Sequence, residues 1–213
     1  MKILLKNATI LDPSSPFHST SQDLLIQNGE IAKISNDIID TDNTKVIEHE
    51  NLHVSKGWFD SGVSFGEPGY EERETLENGL YVAAISGFTK ILLNPDIIPI
   101  PDSNSTISHL FKMGQNKTTS LYPIGALTDK GEGKQLASLY DMHRQGAIGF
   151  GDYKSSLKSG NLLKIALQYV QSFDGIIFSH PLNSEIAESG VMHEGIISTC
   201  LLYTSPSPRD SGK

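Results

Sequence analysis

Three features of the chain predict an α/β protein, a partial (β/α)8 TIM barrel of about five of the eight strands preceded by a small β domain. Residues 1–54 alternate apolar and polar positions at the period of a strand. From residue 55 onward, short apolar β-branched runs alternate with segments of helical spacing. Each helical segment is followed by a turn signal and another apolar run, the rhythm of parallel strands joined by crossover helices.

The β region comes first. Ile3 and Leu5, Ala8 to Leu11, Asp23 to Ile26 and Ile31 to Ile34 read as strands. Asn28-Gly29 stands between the last two, and an Asn-Gly pair between apolar runs is a strong hairpin signal. Val46-Ile47 and Leu52 to Val54 add two short strands.

The α/β region is read element by element. Val54 to Val63 is expected to be its first strand. Glu71 to Ile85 has helical spacing with acids in the first turn. Phe88 to Leu93 is a buried strand ended by Pro95. Asp102 to Met113 is a helix capped by Asp102 or Ser103. Ser120 to Ile124 is the third strand, and Lys134 to Gln145 a helix closed by Gly146. Ala147 to Phe150, Asn161 to Gln171 and Gly175 to Phe178 continue as strand, helix and strand. Five strands of a barrel leave an unpaired edge, so low stability is expected of this polypeptide alone.

Composition narrows the function. The 213 residues carry a net charge of −8, 38% are hydrophobic and 20% charged. An acidic chain without a basic stripe argues against nucleic-acid binding. No apolar run approaches the roughly 20 residues of a membrane helix. Met1 to Leu5 is too short for a signal peptide and is broken by Lys6 and Asn7, so a cytoplasmic location is expected. Cys200 is the sole cysteine, which leaves no internal disulfide. Residues 200–213 read like a translated sequencing adapter, with a native Ser/Pro-rich tail as the alternative. On the first reading the chain is an N-terminal fragment of a longer protein.

The segment from Gly57 to Gly69 carries the functional question. Asp60, Gly62, Ser64, Phe65, Gly66, Glu67, Pro68 and Gly69 are followed by Glu74-Thr75, then Ser86-Gly87-Phe88-Thr89, and then Asn94-Pro95-Asp96-Ile97-Ile98-Pro99. Pro123 to Thr128, Gly146 to Asp152, Ser179-His180 and Gly190 to Gly195 complete the series. In this order the segments resemble those of the dihydroorotases, in the cyclic amidohydrolase superfamily. The resemblance implies a barrel flanked by a composite β-sandwich, with 1–54 contributing to the sandwich and 55–199 forming the N-terminal half of the barrel.

It also implies zinc chemistry, in which one or two metal ions activate water and polarise a ring carbonyl during carbamoyl-aspartate/dihydroorotate interconversion in pyrimidine synthesis. The family's first strand carries histidines at the positions of Gly62 and Ser64, two residues apart and therefore on one face. Neither glycine nor a neutral serine replaces an imidazole. The family's substrate-binding arginine falls at Gly66 and its asparagine at Asp96. Ser64 and Asp96 remain as degenerate substrate-site positions. His180 matches a fifth-strand metal ligand, and Asp152 one acid of the fourth-strand motif, with Tyr153 in place of the other. Asp60, before the lost pair, reads mainly as a strand-end acid. His18, His49, His53, His109, His143 and His193 show no ligand spacing.

The leading expectation is a non-catalytic dihydroorotase homologue. Some family members of that kind support aspartate transcarbamoylase assembly, which makes that enzyme the expected partner. The alternatives are an active zinc-dependent cyclic amidase with relocated ligands, and a scaffold outside the pathway.

Overall fold

The computed structural model describes residues 1–39, 43–182 and 195–201. The chain divides into two units, Met1–Gly57 and Trp58–Lys213.

In the first unit, β1 (Lys2–Leu11), β2 (Ser21–Gln27), β3 (Glu30–Ser35), β4 (Thr44–Glu48) and β5 (His53–Ser55) form one mixed sheet. β2 lies antiparallel between β1 and β3, whereas β4 and β5 run parallel to β1. The expected hairpin forms at Asn28 and Gly29, whose φ of 54° and 84° are those of the tight turn that joins twisted strands. Ala8, Ile10 and Leu24 make the apolar core. Asp23 is buried beside them, and it is satisfied. Its carboxylate accepts from the Lys6 ammonium at 2.7 Å and from the backbone N–H groups of Asn7 and Ile38, each at 3.0 Å. Burial pushes this carboxyl upward, but Lys6 and the two amides outweigh it and leave Asp23 below the ordinary aspartate range.

The second unit opens with β6 (Trp58–Val63). Val54, expected in that strand, pairs with Ile10 in β5 instead, because Lys56-Gly57 interrupts the run. β7 (Phe88–Leu93), β8 (Ser120–Gly125), β9 (Gly149–Phe150) and β10 (Ile176–Ile177) follow in spatial as well as sequence order. All adjacent pairs are parallel. This is the expected half barrel. Val63 stands opposite Leu93, Leu93 opposite Pro123, Gly125 opposite Phe150 and Phe150 opposite Ile177. The C-terminal ends of the five strands therefore share one rim.

The helices are α1 (Leu76–Ile85), α2 (Asn104–Met113), α3 (Leu139–Arg144), α4 (Gly160–Val170) and α5 (Ile196–Leu201). The first four bury one face against the sheet through two clusters. One joins Leu76, Leu80 and Leu110 to Ile91, Leu93 and Leu121; the other joins Leu139, Met142 and Ala166 to Leu127 and Phe150. Gly79 lies inside α1 because a β-carbon there would come within 2.6 Å of the Phe65 ring.

Two helices start later than their periodicity suggests. Residues 71–75 are held in a turn, and α1 begins where Thr75 Oγ1 accepts from Asn78 N–H and Glu67 accepts from Leu76 N–H. Residues 135–137 pair with the loop after β8: Asp129 N–H donates to the Gln135 carbonyl, and Ala137 N–H to that of Leu127, each at 3.0 Å. Those backbone groups are captured before a helix can use them, so α3 starts at Leu139. Among the described residues no helix is long and apolar enough to cross a membrane. The tail expected to be foreign lies outside the described residues except for Cys200 and Leu201, which end α5.

Candidate functional site

The rim formed by the strand ends holds a cleft of about 660 Å³. Tyr70 and Arg73 contribute from the loop after β6, Asp96 and Ile98 from that after β7, and Tyr153 and Lys154 from that after β9. A rim of this kind is where (β/α) barrels carry their chemistry.

At the end of β6, Gly62 donates its N–H to Asp60 Oδ1 at 3.0 Å. A β-carbon on Gly62 would rest 3.4 Å from Nδ2 of Asn94, at the end of the neighbouring strand. The space above Gly62 is thus bounded by a neutral amide. Two residues on, the Ser64 hydroxyl donates to Asp96 Oδ2. Arg73 holds the same carboxylate, with Nη1 3.2 Å from Oδ2, and reaches the Asp96 carbonyl through Nη2 at 2.9 Å. Its guanidinium also lies over the Tyr70 ring, 4.5 Å from the centroid. Asp96 Oδ1 is buried and has no hydrogen-bond partner among the described residues.

Gly66 explains how Arg73 comes to lie there. At φ 101° this residue occupies a region that side chains rarely adopt. A β-carbon at 66 would stand 2.8 Å from Nε of Arg73 and 2.9 Å from its Nη2. The glycine clears the path along which the guanidinium crosses to Asp96.

Asp152, at the end of β9, is engaged by the loop after β8. Its Oδ1 accepts from the N–H groups of Leu127 (2.9 Å) and Thr128 (3.0 Å), and its Oδ2 from the Thr128 hydroxyl at 2.6 Å. The Thr128 oxygen in turn accepts from Gly133 N–H at 2.8 Å. The Asp152 carboxylate ties two loops of the rim together. His180 follows β10 on an exposed stretch, and among the described residues its ring makes no hydrogen bond. His193 and the other residues of 183–194 lie outside the described residues.

The structure therefore brings Ser64 and Asp96 into one network, with Gly66 beside it. Arg73 and Asn94, which sequence reasoning missed as site residues, complete the set. Arg73 had one available signal: it is the only cation in the run Glu71-Glu72-Arg73-Glu74.

A dihydroorotase of Syntrophus aciditrophicus is 34% identical to this chain over 201 residues, 93% of this chain and 47% of that protein. The chain is a dihydroorotase-like amidohydrolase. A dihydroorotase of Pelotomaculum thermopropionicum is equally similar, 34% over 201 residues, 94% of this chain and 47% of that one. This dihydroorotase-like chain thus spans about half the length of the curated relatives it matches. No protein-family model matches it. Among solved structures, an L-hydantoinase from Arthrobacter aurescens aligns with a TM-score of 0.69 at 22% identity, over 88% of this chain and 42% of that one. A dihydroorotase crystal structure aligns with a TM-score of 0.57 at 12% identity, over 88% of this chain and 54% of that one. At those identities the structural likeness establishes the fold alone.

Amidohydrolases of this kind are metal-dependent in general. The described residues of this dihydroorotase-like chain do not fit such a centre. Position 62 offers no donor atom, the Ser64 hydroxyl is spent on Asp96, and both oxygens of Asp152 are occupied by three donors. Among the described residues no three His, Cys, Asp or Glu side chains gather as metal ligands would.

Proposed function

We propose that this chain represents a dihydroorotase homologue of pyrimidine biosynthesis that does not carry out the metal-assisted ring opening and closing. One observation carries the reading. The space above Gly62 is bounded by the Asn94 amide, while Ser64 and Arg73 both hold Oδ2 of Asp96. A zinc ion binds through deprotonated or neutral nitrogen, sulfur and carboxylate donors. Among the described residues Asp96 Oδ1 is the one buried carboxylate oxygen without a partner, and a single oxygen falls short of the three or four donors such an ion needs.

The electrostatics around Asp96 point the same way. In the family resemblance, positions 66 and 96 are an arginine and an asparagine, which suit an anionic substrate. Here the first has no side chain and the second is an acid. Arg73 restores a cation near position 66, but its charge is already paired with Asp96 at 3.2 Å. An incoming carboxylate gains little from a cation that is already neutralised, and it faces Asp96 directly.

A homologue that keeps the fold and loses the chemistry serves through what it binds. The resemblance makes aspartate transcarbamoylase the partner to test, and co-purification of the two from one cell extract is the direct assay. The test of the catalytic reading is metal analysis of the protein purified after growth and dialysis with zinc, together with a carbamoyl-aspartate cyclisation assay. The expected result is far less than one zinc per chain and no turnover above background. Stoichiometric zinc with turnover establishes the competing reading, an active cyclic amidase with relocated ligands.

A further inference from the structure

Four consecutive residues of the cleft wall, Asp152 to Ser155, form a tight turn. It closes on itself, Ser155 N–H donating to the Asp152 carbonyl at 2.9 Å. Tyr153 is the first central residue of this turn, and its φ is 53°. That is the left-handed region, which glycine or asparagine enters at little cost and a bulky aromatic does not. The turn is fixed from both sides. Asp152 is tied to the loop after β8 by three hydrogen bonds. Gly151 lies so close to β10 that a β-carbon on it would stand 2.6 Å from the Phe178 carbonyl oxygen. The backbone around Tyr153 is thus over-determined, and it carries both Tyr153 and Lys154 to the cleft wall. A strained, externally held residue lining a cavity is the pattern of a ligand-contacting position.

Charge supplies the second argument. The Lys154 ammonium lies over the Tyr153 ring, 5.1 Å from its centroid, and makes no ion pair with any described residue. The other cation of the cleft, Arg73, is paired with Asp96, and the charge of Asp152 is met by backbone and hydroxyl donors. In a chain of net charge −8, this leaves an uncompensated ammonium on the wall of a cavity. The rest of that wall is largely apolar, with Pro95, Ile97, Ile98 and Ala126 among its residues.

We propose that Tyr153 and Lys154 form a binding site for a small organic monocarboxylate with an aromatic or apolar body. The ammonium takes the carboxylate, and the tyrosine ring and the isoleucines take the body. One ammonium on an apolar wall suits a monoanion; a phosphate dianion would need several further donors to replace its hydration. The site lies in the cleft discussed above but does not need the metal-free reading. Zinc content and cyclisation test that reading, carboxylate selectivity tests this one, and either can fail alone.

The experiment titrates the full chain with benzoate, with its neutral isostere benzamide and with benzylamine, by calorimetry and saturation-transfer NMR. Benzoate is expected to bind about tenfold or more tightly than the other two, and Lys154→Gln to remove that preference. Tyr153→Gly is expected to weaken benzoate binding while raising the thermal midpoint, because glycine relaxes the turn and takes away the ring. Benzamide binding as tightly as benzoate overturns the assignment, as does unchanged benzoate affinity in either variant. Absence of benzoate binding at millimolar concentration overturns it too.

Discussion

The guanidinium of Arg73 stands where a side chain on Gly66 would begin, its Nε 2.8 Å from the position of a β-carbon there. The two residues exclude each other. An arginine at position 66, as the family resemblance has it, and the Arg73–Asp96 pair of this chain cannot coexist without movement of the loop between them.

Putting the arginine back should therefore harm the protein and restore nothing. Gly66→Arg forces a side chain into φ 101° and into the guanidinium. Strain and overpacking together are expected to cost about 2–4 kcal/mol. Urea unfolding of Gly66→Arg against the parent, and of Gly66→Arg/Arg73→Ala against Arg73→Ala alone, separates the two terms. The double variant should recover the packing part and keep the backbone part. A Gly66→Arg protein as stable as the parent contradicts the exclusion.

Breaking the pair from the other side leaves Asp96 with only the Ser64 donor. Arg73→Met is expected to destabilise by about 1–2 kcal/mol, at the lower end of the range for losing a charge-assisted partner, because the arginine is 42% exposed and its charge is screened. Arg73→Met/Asp96→Asn should cost less than the sum of the single changes, since the second removes the charge that the first left unpaired. Additive losses in a double-mutant cycle would count against a direct coupling.

Gly79→Ala tests the helix packing. In an exposed helix the change would gain up to about 1 kcal/mol in propensity. Here the new methyl meets Phe65 ring atoms at 2.6–2.8 Å, so a net loss of about 1–3 kcal/mol is expected. Phe65→Leu in the same background should restore part of it. A stabilised Gly79→Ala protein would mean that the ring moves aside freely.

Much of the fold could be read from residue order, because its determinants are local. Asn28-Gly29 specifies its own turn, and the spacing of Leu76, Gly79 and Leu80 specifies one buried face. The site was harder to read for a physical reason. Ser64 meets Asp96, and Gly62 faces Asn94, only because β6 and β7 pair in parallel with Val63 opposite Leu93. Register between parallel strands is a tertiary result, and a shift of one residue would send each of these side chains to the other face. Arg73, the lone cation of an acidic run, was hard to place for a related reason. Its role depends on the empty space at Gly66, and a missing side chain gives no signal about what will fill it. The late starts of α1 and α3 likewise come from backbone groups captured by distant segments.

Asp152→Asn distinguishes a structural acid from a metal ligand. The carboxylate accepts from three donors, and an amide can accept on one oxygen only. Leaving a donor of the rim unsatisfied is expected to cost about 1–3 kcal/mol. Amide hydrogen exchange at Leu127 and Thr128 should accelerate, with zinc content unchanged from the parent. Reduced zinc without faster exchange would reverse the assignment.

Acid stability should depend on Asp23. Its carboxyl is held below the ordinary aspartate range in the folded chain, so the unfolded chain binds the proton more tightly. The sign follows. Above the unfolded-state value, near pH 4, the carboxylate contributes its full stabilisation. As pH falls through the lower folded-state value, the proton enters the folded protein as well, and the Lys6 and backbone hydrogen bonds to the anion are lost. Asp23→Asn removes this dependence. At neutral pH it should be less stable than the parent by about 1–3 kcal/mol, because the Lys6 ammonium and two amides lose an ionised acceptor in a buried position. Once the pH is below that lowered folded-state value the two proteins should converge. Urea midpoints measured from pH 7 to pH 2.5 trace the difference, and a gap that stays constant across that range would show that Asp23 acts through packing and not through its charge.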